Sequence, residues 1–145
     1  MDREKLIQEL VQDEGMVLKI YVDSLGHETF GVGHLIIESD EECGEPVGTE
    51  VSISRALECL DSDLNGIFSD LDRNVPWWRE LDDDRQRVVA NMCFNLGINR
   101  FLQFKKFLAA LEERDYETAS VEMLDSRWAR QVGDRSKRLS QRMRG

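Results

Sequence analysis

The sequence predicts an α+β protein that is mostly helical, with two lobes joined by a long helix. Apolar residues recur at helical spacing over most of the chain. One stretch near the N-terminus instead alternates apolar and polar residues, which is typical of a small antiparallel sheet. A further helical pattern continues for about five turns, long enough to span between two parts of the molecule. With 145 residues, 41% of them apolar and 33% charged, the chain can bury a substantial core and fits a soluble globular protein.

The chain begins with a short amphipathic helix over residues 3–13. Its apolar stripe consists of Leu6, Ile7, Leu10 and Val11. Gly15 suits the point where this helix ends, because glycine adopts the backbone conformation of a helix C-terminus without strain. Between residues 18 and 37 the period changes to two, with a turn at Ser24–Gly26, and this pattern predicts the antiparallel sheet. The acidic residues 38–51 are predicted to form a loop.

The connecting helix is predicted over residues 53–72, with Ser52 as its N-cap. Its apolar stripe consists of Ile53, Ala56, Leu57, Leu60, Leu64, Ile67, Phe68 and Leu71. Polar residues of the same segment match the spacing of a calcium-binding loop: Asp61, Asp63, Asn65, Gly66 and Asp72. Such a loop would interrupt the apolar stripe, so we favour the helix.

The rest of the chain is predicted to be helical. Residues 74–80, with Pro76, break the pattern, and Asp82–Asp84 then begin a helix that ends at Gly97 and has the best claim to the centre of the core. A further amphipathic helix is predicted by Phe101, Phe104, Phe107, Leu108 and Leu111.

In the C-terminal part, three positions are predicted to mark where two helices and a turn begin. Asp115 is expected to cap another helix, Trp128 to open a short turn, and Asp134 to cap a basic last helix. These patterns divide the chain into a sheet lobe at 15–52, a connecting helix at 53–72, and a helical lobe at 1–13 and 73–145. A cleft between two lobes is a natural place for an extended ligand.

The charge is unevenly distributed. The net charge is −10, but residues 126–145 hold seven basic residues against one acid, so this segment carries +6 and residues 1–125 carry −16. The basic segment is either a solvated helix face or a positive strip that faces an anionic polymer. The acidic remainder argues against nucleic acid as a general partner, because it would repel phosphates. No apolar run approaches the roughly 20 residues of a membrane span, so we expect no stable membrane association.

The three cysteines, Cys43, Cys59 and Cys93, are too few and too scattered for a disulfide framework or a zinc site. Cys59 and Cys93 fall on apolar faces and are predicted to be buried thiols, as is usual in a reducing compartment. We expect no metal and no cofactor. The N-terminus lacks the apolar core of a secretory signal, so we expect the protein to stay where it is made unless another factor releases it.

Between Asp13 and His34 the sequence places two carboxylates and a hydroxyl close together in a turn-rich segment. Glu14 lies at a helix end, Asp23 in the predicted hairpin, and Thr29 on the strand that follows. Two carboxylates can work together as acid and base when one is protonated and delivers a proton while the other is ionised and activates water. Taken singly, such residues are more often surface acids, turn residues or strand residues. Their joint spacing favours the functional interpretation.

The chain resembles the phage-type lysozymes, glycoside hydrolase family 24, over almost its whole length. The resemblance is carried, in order, by Asp13-Glu14-Gly15, Leu18-Lys19-Ile20-Tyr21, Gly31-Val32-Gly33-His34, Asn91–Gly97, Ser126–Trp128 and Arg135–Arg138. It implies a lysozyme-like fold, a single catalytic domain over residues 1–145 and hydrolysis with inversion. By this resemblance Glu14 is the general acid, Asp23 the second catalytic carboxylate and Thr29 the hydroxyl that helps to hold the attacking water.

The same resemblance implies roles in support. Arg135 matches an arginine that reaches the general acid across the cleft, although it can equally be a solvated residue of the basic helix. His34 and Asp63 match a buried ion pair that ties the sheet lobe to the connecting helix. Asn95 can hydrogen-bond a substrate amide or serve in the core or as a cap. Trp128 lines the cleft or belongs to the core.

We therefore expect an endolysin-like muramidase that hydrolyses the β-1,4 bond between N-acetylmuramic acid and N-acetylglucosamine in peptidoglycan, as a monomer. A phage would use it for host lysis, the enzyme being made in the host cytoplasm and acting on the cell wall after release through a membrane pore. One alternative is a non-enzymatic cell-wall-binding or virion structural protein on the same scaffold. Another is a calcium-binding interaction module.

Overall fold

A three-stranded antiparallel sheet and eight α-helices make up the computed structural model, which describes residues 1–145. The chain forms two compact units, residues 3–66, and residues 1–2 together with 67–145. The sheet belongs entirely to the first unit, and the second contains helices alone. The predicted α+β fold that is mostly α is confirmed. The division into lobes at the predicted boundaries stays a prediction.

Helix α1 (Arg3–Glu14) ends where Gly15 turns the backbone into the left-handed region, at a φ of +77°. The N–H of Gly15 donates to the carbonyl of Val11 at 2.9 Å, which satisfies one of the last carbonyls of the helix. The sheet follows directly. In spatial order its strands are β1 (Val17–Val22), β2 (Glu28–Gly31) and β3 (His34–Leu35).

Strand β1 contains an irregularity that the sequence period did not reveal. Between the pairs Tyr21–Thr29 and Val17–Gly31, β1 holds two more residues than β2. The extra residues hydrogen-bond instead to residues 48–51, at the end of the predicted loop. The loop therefore borders the sheet rather than leaving it.

The core of residues 3–66 lies between the sheet and the long helix. It consists of Ile20, Phe30, Val51 and Cys59, with Ile36 packed against them. Gly31 approaches the helix so closely that an added Cβ would lie 3.1 Å from the Cβ of Ala56. Its φ of +67° also favours glycine, so two independent constraints apply at this position.

The long helix α2 covers Ile53–Asn74 without interruption. As predicted, Ser52 caps it, its Oγ accepting the N–H of Arg55 at 3.1 Å. Residues 61–72 are helical throughout, so the calcium-binding loop considered above is contradicted. A wrapped loop would require α2 to break there, and the apolar stripe keeps the helix intact.

A 3₁₀-helix (Pro76–Glu80) follows α2 and leads to α3 (Asp83–Leu96). Asp82 caps α3 by accepting the N–H of Arg85 at 3.3 Å, and Gly97 ends it at a φ of +79°. The central place predicted for this helix is confirmed by its run of buried residues: Val88, Val89, Ala90, Asn91, Met92 and Cys93.

The single helix predicted from the phenylalanines is in fact two, α4 (Ile98–Phe101) and α5 (Lys105–Glu112). Phe107 packs edge to face against both Phe101 and Phe104, with ring centroids 6.2 and 6.3 Å away. The spacing of the three rings therefore reflects an aromatic cluster around a helix break. It does not mark one continuous helix face.

The last helices are α6 (Tyr116–Leu124), α7 (Arg127–Val132) and α8 (Asp134–Arg144). Asp115 caps α6 as predicted, accepting a backbone N–H at 3.2 Å. Trp128 lies within α7 rather than in a short turn, because Ser126 caps a helix there. Asp134 is the first residue of α8 and not its cap, which is Gly133. None of the helices has the length and apolar character that crossing a membrane requires.

Candidate active site

Glu14, the predicted general acid, is the last residue of α1 and is exposed. Two buried leucines of the same helix, Leu6 and Leu10, anchor it. Because Gly15 stops the helix immediately afterwards, the carboxylate lies at a defined helix end just before β1. The predicted position of Glu14 at a helix end is confirmed, and its catalytic role stays a prediction.

Asp23, the second predicted carboxylate, is held by the backbone of the turn after β1. Its Oδ1 accepts the N–H of Leu25 at 2.9 Å and the N–H of His27 at 2.8 Å. The ring Nδ1 of His27 lies 3.6 Å from Oδ2. The His27 N–H is the main cause of a lowered Asp23 pKa; burial opposes it and the Leu25 N–H adds to it. Asp23 is therefore ionised at neutral pH.

Thr29 is 2% exposed, and its hydroxyl donates to the carbonyl of His27 at 2.9 Å. His27 thus contacts Asp23 through its N–H and Thr29 through its carbonyl. Asp23 and Thr29 were predicted from the sequence, and His27 was not. The main contacts of His27 are made by its backbone, and backbone contacts leave no signature in the residue type.

Tyr21 connects the two predicted carboxylates electrostatically. Burial is the main cause that raises its pKa, and the negative charges of Asp23 and then Glu14 raise it further. Tyr21 is also paired with Thr29 across the sheet, so their side chains share a face. Tyr21 was not among the residues predicted from the sequence. The joint action of Glu14, Asp23 and Thr29 stays a prediction.

His34 contacts a carboxylate through each ring nitrogen. Its Nδ1 lies 2.8 Å from Asp63 of α2, and its Nε2 lies 2.8 Å from Asp40, in the turn after β3. An ionised carboxylate only accepts hydrogen bonds, so both nitrogens donate and His34 is an imidazolium. The bond with Asp63 is the main cause that raises the His34 pKa; burial opposes it and the bond with Asp40 adds to it. The contact with Asp63 was expected from the resemblance, and Asp40 was not foreseen.

Arg55 connects Asp40 to two further acids. Its Nη2 lies 3.5 Å from Asp40, its guanidinium donates to both Glu42 oxygens at 2.9 and 3.0 Å, and Nη1 donates to Glu58 at 2.8 Å. The hydrogen bonds from Arg55 are the main cause of a lowered Glu42 pKa. These contacts were not predicted, because the acidic residues 38–51 were interpreted only as a loop. An arginine in the first turn of a helix beside an acidic run is the signal that was available.

Three residues expected to support the site lie in the helical unit. The Oδ1 of Asn95 accepts the indole N–H of Trp128 at 2.8 Å, and Trp128 is only 2% exposed, as a core residue would be. Arg135 is 7% exposed and donates two hydrogen bonds to Asn91, at 3.0 and 2.7 Å, so it is not a solvated residue. The expected reach of Arg135 to Glu14 stays a prediction.

A groove of about 690 Å³ opens beside Trp128 in the helical unit. Its walls combine aromatic rings with charges of both signs, and they include Phe104, Lys105, Lys106, Phe107, Glu122 and Arg127. None of the predicted catalytic residues lines it. The groove can hold a polar ligand, but it does not supply the predicted acid and base.

Cys59 and Cys93 are buried thiols, as predicted, and Cys43 is exposed. Burial raises the pKa of Cys59 to about 11 and that of Cys93 to about 12. Both buried thiols are therefore protonated at neutral pH.

Comparisons with known proteins agree with the resemblance seen in the motifs. A sequence model described as phage lysozyme matches residues 11–144. Probable T4-type lysozyme 1 of Dictyostelium discoideum is 30% identical over 90% of this chain and 88% of its own length. The Pre-baseplate central spike protein Gp5 of Enterobacteria phage T4 is 28% identical over 90% of this chain, which spans 26% of that protein. Peptidoglycan hydrolase gp36 of Pseudomonas phage phiKMV is 27% identical over 94% of this chain and 15% of its own length. The chain therefore belongs to the phage lysozyme family and is a glycoside hydrolase.

Proposed function

We propose that the protein is a muramidase that hydrolyses the β-1,4 bond between N-acetylmuramic acid and N-acetylglucosamine in bacterial peptidoglycan. The family and a relative named peptidoglycan hydrolase support peptidoglycan as the substrate. The observation that carries the chemistry is the turn in which His27 binds the Asp23 carboxylate through its N–H and the Thr29 hydroxyl through its carbonyl. Glycoside hydrolysis needs two carboxylates in different environments, and a helix end and a backbone-bonded turn provide them.

Asp23 is proposed as the base. Its Oδ1 already accepts two backbone N–H groups, so Oδ2 is the oxygen suited to take a proton from water. The turn also keeps the carboxylate ionised, as the lowered pKa indicates. A base of this kind is oriented before substrate arrives, because the backbone of the turn fixes it.

Thr29 is proposed to position the water molecule. Its hydroxyl proton is donated to the His27 carbonyl, so the hydroxyl oxygen has lone pairs with which to accept a hydrogen from water. The water would then donate one hydrogen to Thr29 and the other to Asp23, leaving its own lone pair for the sugar. This arrangement fits an inverting hydrolysis, in which the water attacks the face opposite the leaving group.

Glu14 is proposed as the acid. Its proton passes to the glycosidic oxygen as the bond to the anomeric carbon breaks, and the hydroxide part of the water bonds to that carbon. The remaining water proton goes to Asp23. The reaction releases two chain ends, one of them reducing, and leaves Glu14 deprotonated and Asp23 protonated until they exchange protons with solvent.

Replacing Glu14 tests this assignment. We expect Glu14→Gln to lower the release of reducing ends from purified peptidoglycan about 1,000-fold, while circular dichroism and thermal midpoint stay at parental values, because the side chain is exposed. Glu4→Gln is the matched control, since Glu4 is an exposed acid on the same helix. Release at the parental rate by Glu14→Gln would refute the assignment.

The alternative of a non-enzymatic wall-binding or virion structural protein predicts a different result. It is kept because one relative is named a central spike protein. A protein of that kind would sediment with peptidoglycan but release no reducing ends. Purified parental protein and insoluble peptidoglycan suffice to distinguish the two.

We also propose that the enzyme is made in the host cytoplasm and reaches the wall through a membrane pore, to cause host lysis. Expression in a bacterium is then expected to leave the cells intact until the membrane is permeabilised with chloroform, after which turbidity falls. Cells that lyse on expression alone would contradict this proposal. The Glu14→Gln variant separates wall hydrolysis from nonspecific toxicity.

A further inference from the structure

Three potential metal ligands of different chemistry meet in residues 3–66. His34 is at the start of β3, Asp40 in the turn that follows and Cys59 in α2. One ring nitrogen, one carboxylate oxygen and the Sγ atom all lie within 4.8 Å of one another. His34 is 8% exposed and Cys59 is 4% exposed, so these are not scattered surface groups.

A fourth residue orients the histidine. Asp63 accepts from His34 Nδ1 at 2.8 Å, which leaves Nε2 directed at Asp40. In metal sites, the ligating histidine usually gives its other N–H to a carboxylate, which fixes the ring and makes the ligating nitrogen more basic. Asp63 occupies that position relative to His34. This partner distinguishes the cluster from a chance group of polar side chains.

Asp40 also directs one of its two carboxylate oxygens toward the proposed metal position. Its Oδ1 lies 3.5 Å from Nη2 of Arg55, and its Oδ2 accepts the N–H of Ile37 at 2.9 Å and lies 2.8 Å from His34 Nε2. Arg55 is itself bonded to both oxygens of Glu42, so its charge is largely compensated. A metal ion would take the Oδ2 lone pair that now meets His34, and the bond from Ile37 would hold the carboxylate in place.

The set of one imidazole, one thiolate and one carboxylate suits zinc and similar soft divalent ions, and not the oxygen-seeking calcium or magnesium. Tetrahedral zinc with ordinary bond lengths separates its ligand atoms by about 3.4–3.6 Å. The present atoms reach that spacing if the widest pair, at most 4.8 Å apart, closes by about 1 Å and the 2.8 Å Nε2–Oδ2 pair opens.

The charge balance also permits a dication. Binding removes one proton from His34 Nε2 and one from Cys59 Sγ, and adds two positive charges. The total charge of the cluster is therefore unchanged, and Arg55 meets no additional positive charge. This exchange of two protons for one dication is the usual stoichiometry when a histidine and a cysteine become ligands.

We propose that His34, Asp40 and Cys59 form a site for a zinc-like divalent cation, with Asp63 orienting the His34 ring and water as the fourth ligand. The ion would tie β3, the turn after it and α2 together, in a structural role. The sequence analysis expected no metal because the three cysteines are scattered, and the ligands come together only through the fold. The proposal does not depend on the hydrolase activity.

Cobalt provides a direct probe, because cobalt bound to a thiolate absorbs in the near ultraviolet and tetrahedral cobalt absorbs in the visible. We expect the parental chain, freed of metal by dialysis against a chelator, to bind one equivalent of Co²⁺ with both absorptions, and Zn²⁺ to displace it. Cys59→Ser should lose the thiolate band, whereas Cys43→Ser should keep it, since Cys43 is exposed and outside the cluster. Asp63→Asn should weaken binding about 10- to 100-fold.

Thermal unfolding gives a second readout. Zn²⁺ at a hundredfold excess over its dissociation constant should raise the parental midpoint by about 5–10 °C, and leave that of Cys59→Ser unchanged. Asp40→Asn keeps the thiol and serves if Cys59→Ser does not fold; it should bind Co²⁺ more weakly and lose most of the zinc-induced rise. The absence of any thiolate band with micromolar metal would overturn the proposal. So would a band that survives Cys59→Ser and disappears in Cys43→Ser.

Discussion

The turn from Asp23 to His27 and the cluster around His34 hold charged groups in opposite ways. In the turn, the backbone N–H groups of two residues bind one carboxylate, which remains partly exposed and ionised. In the cluster, the charged groups are held mainly by side chains of opposite charge, with one backbone N–H, that of Ile37, added at Asp40. The Asp23 carboxylate, held by backbone N–H groups through Oδ1, keeps Oδ2 for chemistry. The charged side chains around His34 bind one another and so hold the structure together. Changes in the turn should therefore affect activity, and changes in the cluster should affect stability.

The largest effect is expected for Asp23→Asn. The amide oxygen can still accept the two N–H bonds, so the turn should persist, but an amide does not take a proton from water. We expect hydrolysis to fall about 100- to 10,000-fold, with little change in the free energy of unfolding. Reducing-end release and urea denaturation measure the two quantities. Glu28→Gln, an exposed acid on the adjacent strand, should change neither, and a large loss of stability in Asp23→Asn would contradict the comparison.

The two histidines provide the next test. His34→Ala leaves Asp40 and Asp63 without their shared cation, and we expect it to lower the free energy of unfolding by about 2 kcal/mol, allowing for the partial exposure of Asp63. His27→Ala keeps the backbone bonds of the turn, so it should cost less than about 0.5 kcal/mol. Urea denaturation in the presence of a chelator measures both. If the two variants lost equal free energy of unfolding, the turn would depend on the His27 side chain as well as on its backbone.

A comparison of alanine substitutions at Gly31 and Gly33 measures how much packing against α2 contributes to stability in residues 3–66. Both have a φ of +67°, but only at Gly31 would a Cβ meet a neighbour, 3.1 Å from the Cβ of Ala56. Substitution by alanine should cost about 1 kcal/mol at Gly33, from the backbone conformation alone, and about 1 kcal/mol more at Gly31. The difference between the two variants isolates the contact with α2. If the two variants lost the same free energy of unfolding, the close contact between β2 and α2 would make no measurable contribution to stability.

The smallest effect concerns the response of the turn to acid. The folded-state pKa of Asp23 is lower than its unfolded value, so its stabilisation is complete above the ordinary aspartate pKa and is lost as the pH falls through the lower folded value. The amide proton shifts of Leu25 and His27 should follow this titration in NMR spectra. The same shifts should be flat over that range in Asp23→Asn. A midpoint above the ordinary aspartate pKa would contradict the bonding described for the turn.

Local signals in the sequence predicted most of the fold. Ser52 and Asp115 cap helices where expected, because capping depends on a side chain and the backbone two or three residues away. The break between α4 and α5 was missed because an aromatic cluster imitates the period of one helix. The pairing of residues 48–51 with β1 was missed because it joins distant parts of the chain.

The candidate site shows the same limit. Glu14, Asp23 and Thr29 lie close together in the chain, so their spacing and a family resemblance were enough to single them out. Asp40 and Arg55 were not foreseen, because neither matches a motif and their contacts depend on the path of the acidic loop. The local chemistry was predictable from the sequence, whereas the contacts made by the acidic loop depend on the folded chain.

The turn after β1 also determines where this protein can gain or lose residues. The backbone N–H of His27 binds the Asp23 carboxylate, and its carbonyl binds the Thr29 hydroxyl. An insertion or deletion among residues 24–26 would therefore displace both bonds at once. Residues 43–47 lie in exposed turns instead, and a change of length there leaves that geometry untouched. A peptide tag or a fluorophore is therefore better inserted in the acidic loop, and the number of residues in the hairpin turn should be kept.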